Sequence, residues 1–316
     1  MPQTETPGTE VVPRHRLRWW TELPLILLVY GCYSIGRILV RGDISSAVDH
    51  GLAILHVEQA LHLNAEHPLN RLFTREAWLG IPADFWYASL HYLITPALLV
   101  WLFRSGAERY RAARTWLMTS TFIGLIGFTL LPTCPPRLLS AGQGFVDTMA
   151  QYSSYGWWGA DASAPRGMGG MTNQYAAMPS LHVGWALWCG VVVWRYGGTR
   201  LAKLFGVGYP LVTALVVMGT ANHYFLDTVA GVAVMGLGLL LAPRVMRVID
   251  LLRARLSPRT ATGRAGTVHM GSPVVSGGCQ TSAGERFPRQ RESRLGAAAE
   301  PDVSPDAGEE APAPAH

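Results

Sequence analysis

The chain has 316 residues, of which 49% are hydrophobic and only 15% charged, with a net charge of +5. A soluble domain carries about 25% charged residues, so the composition points to a membrane protein, and a long polar C-terminal stretch holds the mean hydropathy down to +0.18. The positive charge does not make a nucleic-acid reader, because the arginines punctuate apolar segments and form no continuous stripe. Cys32, Cys134, Cys189 and Cys279 are scattered without CxxC or metal-like spacing, which argues against a disulfide framework or a thiolate metal site.

Residues 1–20 hold Arg14, Arg16 and Arg18 and no early apolar run with a cleavage site, so they read as a cytoplasmic segment and not as a signal peptide. Six apolar stretches follow, at 23–40, 84–103, 116–131, 183–194, 204–220 and 228–245. A membrane-crossing helix needs about 20 residues, and the fourth stretch approaches that length when 180–196 is included. The fold class is therefore all-α, a polytopic six-transmembrane-helix bundle over residues 21–250. Arg37 interrupts the first span and either snorkels or faces the bundle.

Between the first two spans, Val48, Leu52, Leu55, Val57, Leu61 and Leu69 recur at helical spacing. They predict one or two extracytoplasmic interfacial helices. The segment 132–179 is rich in Gly, Ser, Pro and aromatic residues, and its Tyr152, Tyr155, Trp157, Trp158 and Tyr175 suit a headgroup region. Loops of that length are often functional. Residues 251–316 turn to Gly, Ser, Ala, Pro and Arg and then to an acidic run, and read as a disordered cytoplasmic tail. With the N-terminus inside, fourteen loop Arg and Lys lie on the cytoplasmic side against five outside, so both termini are expected in the cytoplasm.

Ionisable residues gather at the outer ends of the spans. His182 lies in Met178-Pro179-Ser180-Leu181-His182, and His223 and Asp227 in Asn222-His223-Tyr224-Phe225-Leu226-Asp227. The histidines are 41 positions apart, one helix in and one helix out, so both return to one face. Arg137, after the third span, joins them. An imidazole can attack phosphorus if its other nitrogen is fixed as a donor. Asp227, four residues after His223, is placed to accept from that donor. A second imidazole can protonate the leaving oxygen, and a guanidinium matches phosphate oxygens. The set requires no metal or other cofactor. Each member alone has an ordinary structural reading: an ion pair for His223 and Asp227, an interfacial histidine for His182, a membrane-end anchor for Arg137. His91, inside the second span, reads as bonding a neighbouring helix, and the tryptophans read mainly as interface anchors.

The elements Ala176-Ala177-Met178-Pro179-Ser180-Leu181-His182 and His223-Tyr224-Phe225-Leu226-Asp227, followed by Ala230-Gly231, resemble motifs of the type 2 phosphatidic acid phosphatase superfamily. The Pro-Ser-Leu-His form resembles the inositol-phosphorylceramide synthase (inositolphosphotransferase) branch. The resemblance covers the six-span core and implies roles: His223 as nucleophile forming a phosphohistidine, Asp227 as its orienting carboxylate, His182 as general acid, and Ser180 with nearby backbone N–H groups binding phosphate oxygens. The superfamily's first-motif lysine is replaced here by Leu130, and the arginine six residues before the histidine by Val217. Arg137 then carries most of the phosphate-binding charge, with Arg166 as a further source. Fewer cations favour a transferase or a phosphodiester substrate over plain phosphatidic acid hydrolysis.

The expected activity is a phosphohydrolase or phosphotransferase acting on a membrane lipid phosphate, with water or a hydroxyl acceptor, at an active site facing outside. The competing reading is a non-catalytic lipid-binding or transport protein, which leaves the outer histidines and Asp227 without a use.

Overall fold

The computed structural model describes residues 18–39, 43–158 and 173–256, and every regular element among them is helical. The N-terminal segment 1–17, Arg166, Cys279 and the tail from 257 onward lie outside the described residues, as does the side chain of Arg37. The helices are α1 (Trp19–Leu39), α2 (Ile44–Ala60), α3 (Glu66–Arg75), α4 (Ala77–Phe85), α5 (His91–Ser105), α6 (Ala107–Leu130), α7 (Thr148–Gln151), α8 (Leu181–Tyr196), α9 (Arg200–Gly219) and α10 (Phe225–Leu256). A π-helical turn, Trp86–Leu90, joins α4 to α5.

Three helical stretches are long and apolar enough to cross a membrane: Ala77–Ser105, Arg200–Gly219 and Phe225–Leu256. They mark an integral membrane protein, but they are fewer than the six spans read from the sequence. The reasons are local. α8 has only 16 residues, short of the roughly 20 a crossing needs. The opening turns of α6 carry Glu108, Arg109, Arg111 and Arg114, and α1 has Glu22 in its first turn. The stretch read as starting at 84 begins at Ala77, and α10 runs through Leu256 into the stretch read as tail.

Side-chain caps set several helix starts. Asp43 accepts from Ser45 N at α2, Ser180 from Val183 N at α8, and Thr199 from Ala202 N at α9. Between the first two stretches, where one or two helices were expected, the chain forms α2 and α3.

The bundle packs as helices do where water is absent. Small residues let backbones approach: a Cβ on Gly190 would lie 2.3 Å from the Gly206 carbonyl oxygen, and one on Gly231 only 2.2 Å from that of Ser180. Buried indoles donate across helices, because an unpaired N–H is costly there. Trp188 donates to Ala113 O (2.9 Å), Trp116 to Met235 O (2.8 Å), and Trp86 to Thr213 Oγ1 (3.1 Å). These tryptophans are bundle clamps, not the interface anchors read from the sequence. Leu204, Leu211, Leu237 and Leu240 face outward as lipid-facing side chains would. Arg114–Glu22 and Arg111–Asp250 tie the starts of α1 and α6 to the end of α10. The opposite end of the bundle carries the starts of α8 and α10.

Candidate active site

Two connecting segments meet at that end. The chain leaving α6 pairs with the chain entering α8: Thr133 N donates to Tyr175 O (2.8 Å), and Ala177 N to Thr133 O (3.2 Å). This aligns the Ala177 carbonyl with the turn between α9 and α10. The turn is fixed by its own backbone. Ala221 takes a left-handed conformation (φ 53°), Asn222 N and His223 N both donate to Val217 O, and Arg137 N donates to Ala221 O (2.9 Å).

His223 is 4% exposed, with Nδ1 2.8 Å from Ala177 O and 3.4 Å from Asp227 Oδ2. A carbonyl oxygen can only accept, so Nδ1 carries the proton and Nε2 keeps the lone pair. The carboxylate expected to orient the ring is thus the longer of two contacts. Asp227 Oδ2 also accepts from Tyr224 N at 3.0 Å, the backward-reaching half of a capping box at the start of α10.

His182 follows the first residue of α8, and its ring centroid lies 5.8 Å from that of His223. Tyr87 stacks on it (4.4 Å, 25°), and His91 meets it edge-on (4.5 Å). Both come from the π-helical turn and its exit. Such turns often occur at functional sites, and here the extra residue aims two rings at one imidazole. His91, expected to bond a neighbouring helix, meets α8 there, with its ring against His182 and Trp185.

The remaining sequence-derived residues have structural partners. Ser180 is fully buried, caps α8 through its hydroxyl, and donates its backbone N–H to Asp227 O (3.0 Å). The Arg137 side chain is 2% exposed. Its Nε donates to Asn222 Oδ1 and its Nη1 to Asp147 Oδ2, each at 2.9 Å. Asp147 in turn caps α7 by accepting from Ala150 N. Arg137 therefore locks the loop to the residue beside His223, with its charge already met by Asp147. Burial pushes the Cys134 thiol up to about 11, so it stays an inert thiol. In the long loop, Trp158 and Tyr152 are buried and donate to Met149 O and Phe73 O, where headgroup exposure was expected.

Two residues under the turn carry no motif. Glu58 of α2 and Glu66 of α3 are both fully buried, and Glu58 Oε1 accepts from Leu226 N at 2.6 Å. The sequence offers Glu58 only as a surface-helix carboxylate that could orient another group; its partner, 168 positions away, is not legible from α2.

A family model described as the PAP2 superfamily matches residues 52–241, from within α2 to within α10, and so takes in both histidines and Asp227. No curated protein and no solved structure matches the chain.

Proposed function

The chain belongs to the PAP2 superfamily, and from that premise we propose that it is a lipid-phosphate phosphotransferase or phosphohydrolase working through a phosphohistidine. The carrying observation is the facing pair of imidazoles, with centroids 5.8 Å apart and the Nδ1 proton of His223 already engaged. In this reading His223 Nε2 attacks phosphorus, the bond from phosphorus to the lipid-side oxygen breaks, and His182 gives that oxygen a proton. Water or a hydroxyl acceptor then takes the phosphoryl group, and the P–N bond breaks. Asp227 offsets the positive charge that develops on His223.

The charge at phosphorus needs a source besides Arg137, which Asp147 already pairs. The start of α8 offers one. Helix N-termini attract anions. That of α10 meets two carboxyl groups, Asp227 and Glu58, whereas that of α8 is capped by the neutral Ser180 hydroxyl. A phosphodiester, carrying one negative charge, suits this economy of cations better than a phosphomonoester. That favours an inositolphosphotransferase-like activity over phosphatidic acid hydrolysis. In this reading α1, α6 and α8 cross as well, with the charged first turns of α1 and α6 and the ends of the 16-residue α8 lying at the headgroups. The excess of basic residues at the opposite end of the bundle supports a site on the outer face.

The test is to incubate the detergent-purified chain with labelled phosphatidic acid or phosphatidylinositol, quench in base and look for labelled histidine. The label is expected on His223 and absent from His223→Ala. Full labelling of the variant would refute the assignment.

A further inference from the structure

α2 lies across the back of the nucleophile turn. Its Ala47 carbonyl accepts from Cys134 N (2.9 Å), and Gly51 leaves room for the Tyr224 hydroxyl, which donates to Cys134 O (2.9 Å). About two helical turns beyond Gly51, Glu58 reaches beneath the turn. Its Oε1 accepts the Leu226 N–H, one of the N–H groups that a helix start leaves without an internal partner. A capping side chain normally comes from the same strand of sequence; here it comes from another helix. Glu66, at the start of α3, faces Glu58 in the same enclosure. Both residues are 0% exposed, and none of the ion pairs among the described residues involves either. Glu58 Oε2 and both Glu66 oxygens receive no donor from the surrounding fold.

Two carboxylates enclosed together without a counter-ion cannot both ionise at modest cost. Of the facing titratable side chains only one histidine acts the other way, together with the Leu226 N–H at Glu58. Asp227 adds a third carboxylate, Tyr224 and Cys134 are held neutral by burial, and His67 lies beside Glu66. His223 lies beyond Asp227. Burial and the Glu66 charge push Glu58 up to about 8, and burial also raises Glu66. Among the described residues no three His, Cys, Asp or Glu side chains are grouped to hold a metal ion, so the enclosure suits a proton.

We propose that Glu58 and Glu66 share one proton and form a positioning pair for the nucleophile. With the proton in place, α2 and α3 stay seated under Leu226 and Asp227, and the His223 ring keeps its alignment; loss of the proton sets carboxylate against carboxylate and loosens the turn. This rests on His223 being the nucleophile. It adds to that assignment a pH limit set from behind the site, by residues that touch no substrate.

The experiment has one arm that needs no substrate. Infrared spectra of the full chain in detergent are expected to show a carboxylic acid C=O band that disappears on titration through about pH 8, and that is missing in Glu66→Gln. The second arm is the pH profile of phosphohistidine formation from phosphatidic acid or phosphatidylinositol. Glu66→Gln is expected to abolish the alkaline limb, because it leaves no second carboxylate to oppose Glu58. Glu58→Ala is expected to lower the rate by about tenfold or more, as a displaced reacting group does. Glu58→Gln, which still offers Oε1 to Leu226 N, restores most of that loss. Absence of the band, or wild-type profiles in Glu66→Gln, overturns the pair while the phosphohistidine stands. A band that behaves as stated in a protein that forms no phosphohistidine overturns the positioning role together with the proposed function, and leaves a buried acid pair.

Discussion

Gly231→Ala isolates the contact that sets the two histidines against each other. Gly231 crosses the chain at Ser180, where an added Cβ would lie 2.2 Å from the Ser180 carbonyl oxygen and 3.1 Å from its carbonyl carbon. Both atoms are main chain, so no rotamer change relieves the overlap. Reaching an acceptable contact takes a shift of about 1 Å between α8 and α10. That shift acts on Ser180 and Asp227 together, since Ser180 N donates to Asp227 O, and through them on His182 and His223. Overpacking of this kind costs about 1–3 kcal/mol of stability. A misplacement of about 1 Å costs on the order of a hundredfold in rate. Gly236→Ala is the control on the same helix: nothing lies within 4 Å of its added Cβ, so it gains up to about 1 kcal/mol from helix propensity. The assay pairs thermal unfolding in detergent with the rate of phosphohistidine formation. The expected result is a rate loss in Gly231→Ala well beyond its loss of stability, with Gly236→Ala at wild-type rate. Equal rates in both variants would refute the view that this crossing sets the catalytic geometry.

Three further outcomes follow from the same contacts. Asp227→Asn should lower the phosphorylation rate by less than the roughly 10⁴-fold that loss of tautomer control costs a Ser-His-Asp triad, because Ala177 O still holds the Nδ1 proton; a full 10⁴-fold loss in single-turnover kinetics would assign tautomer control to Asp227. Asp147→Ala leaves the enclosed Arg137 guanidinium without its counter-ion and should destabilise the fold by about 3 kcal/mol, read as a lower melting temperature in detergent. Stability should also fall as pH rises from about 5 to 8. Glu58 titrates at its usual value of 4.5 when unfolded and at about 8 when folded, so between those values the folded chain binds more protons, and the loss levels off above 8. Melting curves of Glu58→Gln should lack that slope.

The helical class and the meeting of His182 with His223 could be read from the sequence, because both depend on local periodicity and on one count of helices in and out. The number of spans was less legible. Apolar runs such as 116–131 hide the charged turns that begin the same helix, and 183–194 belongs to a helix of 16 residues. At the site, residues inside motifs were visible and their long-range partners were not. Arg137 was legible as a cation at the right face, but Asp147 as its counter-charge was not, since the pairing depends on how the loop folds back. Glu58 was legible as a surface-helix carboxylate that could orient another group, but not its target, and nothing marked Glu66; only the placement of α2 and α3 against Leu226 encloses them. Tyr87 and His91 were hidden by an irregularity, because a π-helical turn shifts which residues face a neighbour and periodicity assumes none.

The acceptor that fixes the tautomer of His223 is a peptide carbonyl, and no codon can remove it. A mutational scan would score position 177 only for how well its enclosed methyl packs, and would miss its part in the chemistry. Loss of function should instead gather at residues that steer the backbone without touching the imidazole: Thr133 and Tyr175, which set the path of the strand-like pairing, and Pro179, which follows it. For this chain the information that orients the proposed nucleophile is written in the course of the main chain, and sequence comparison by side-chain identity would undercount it.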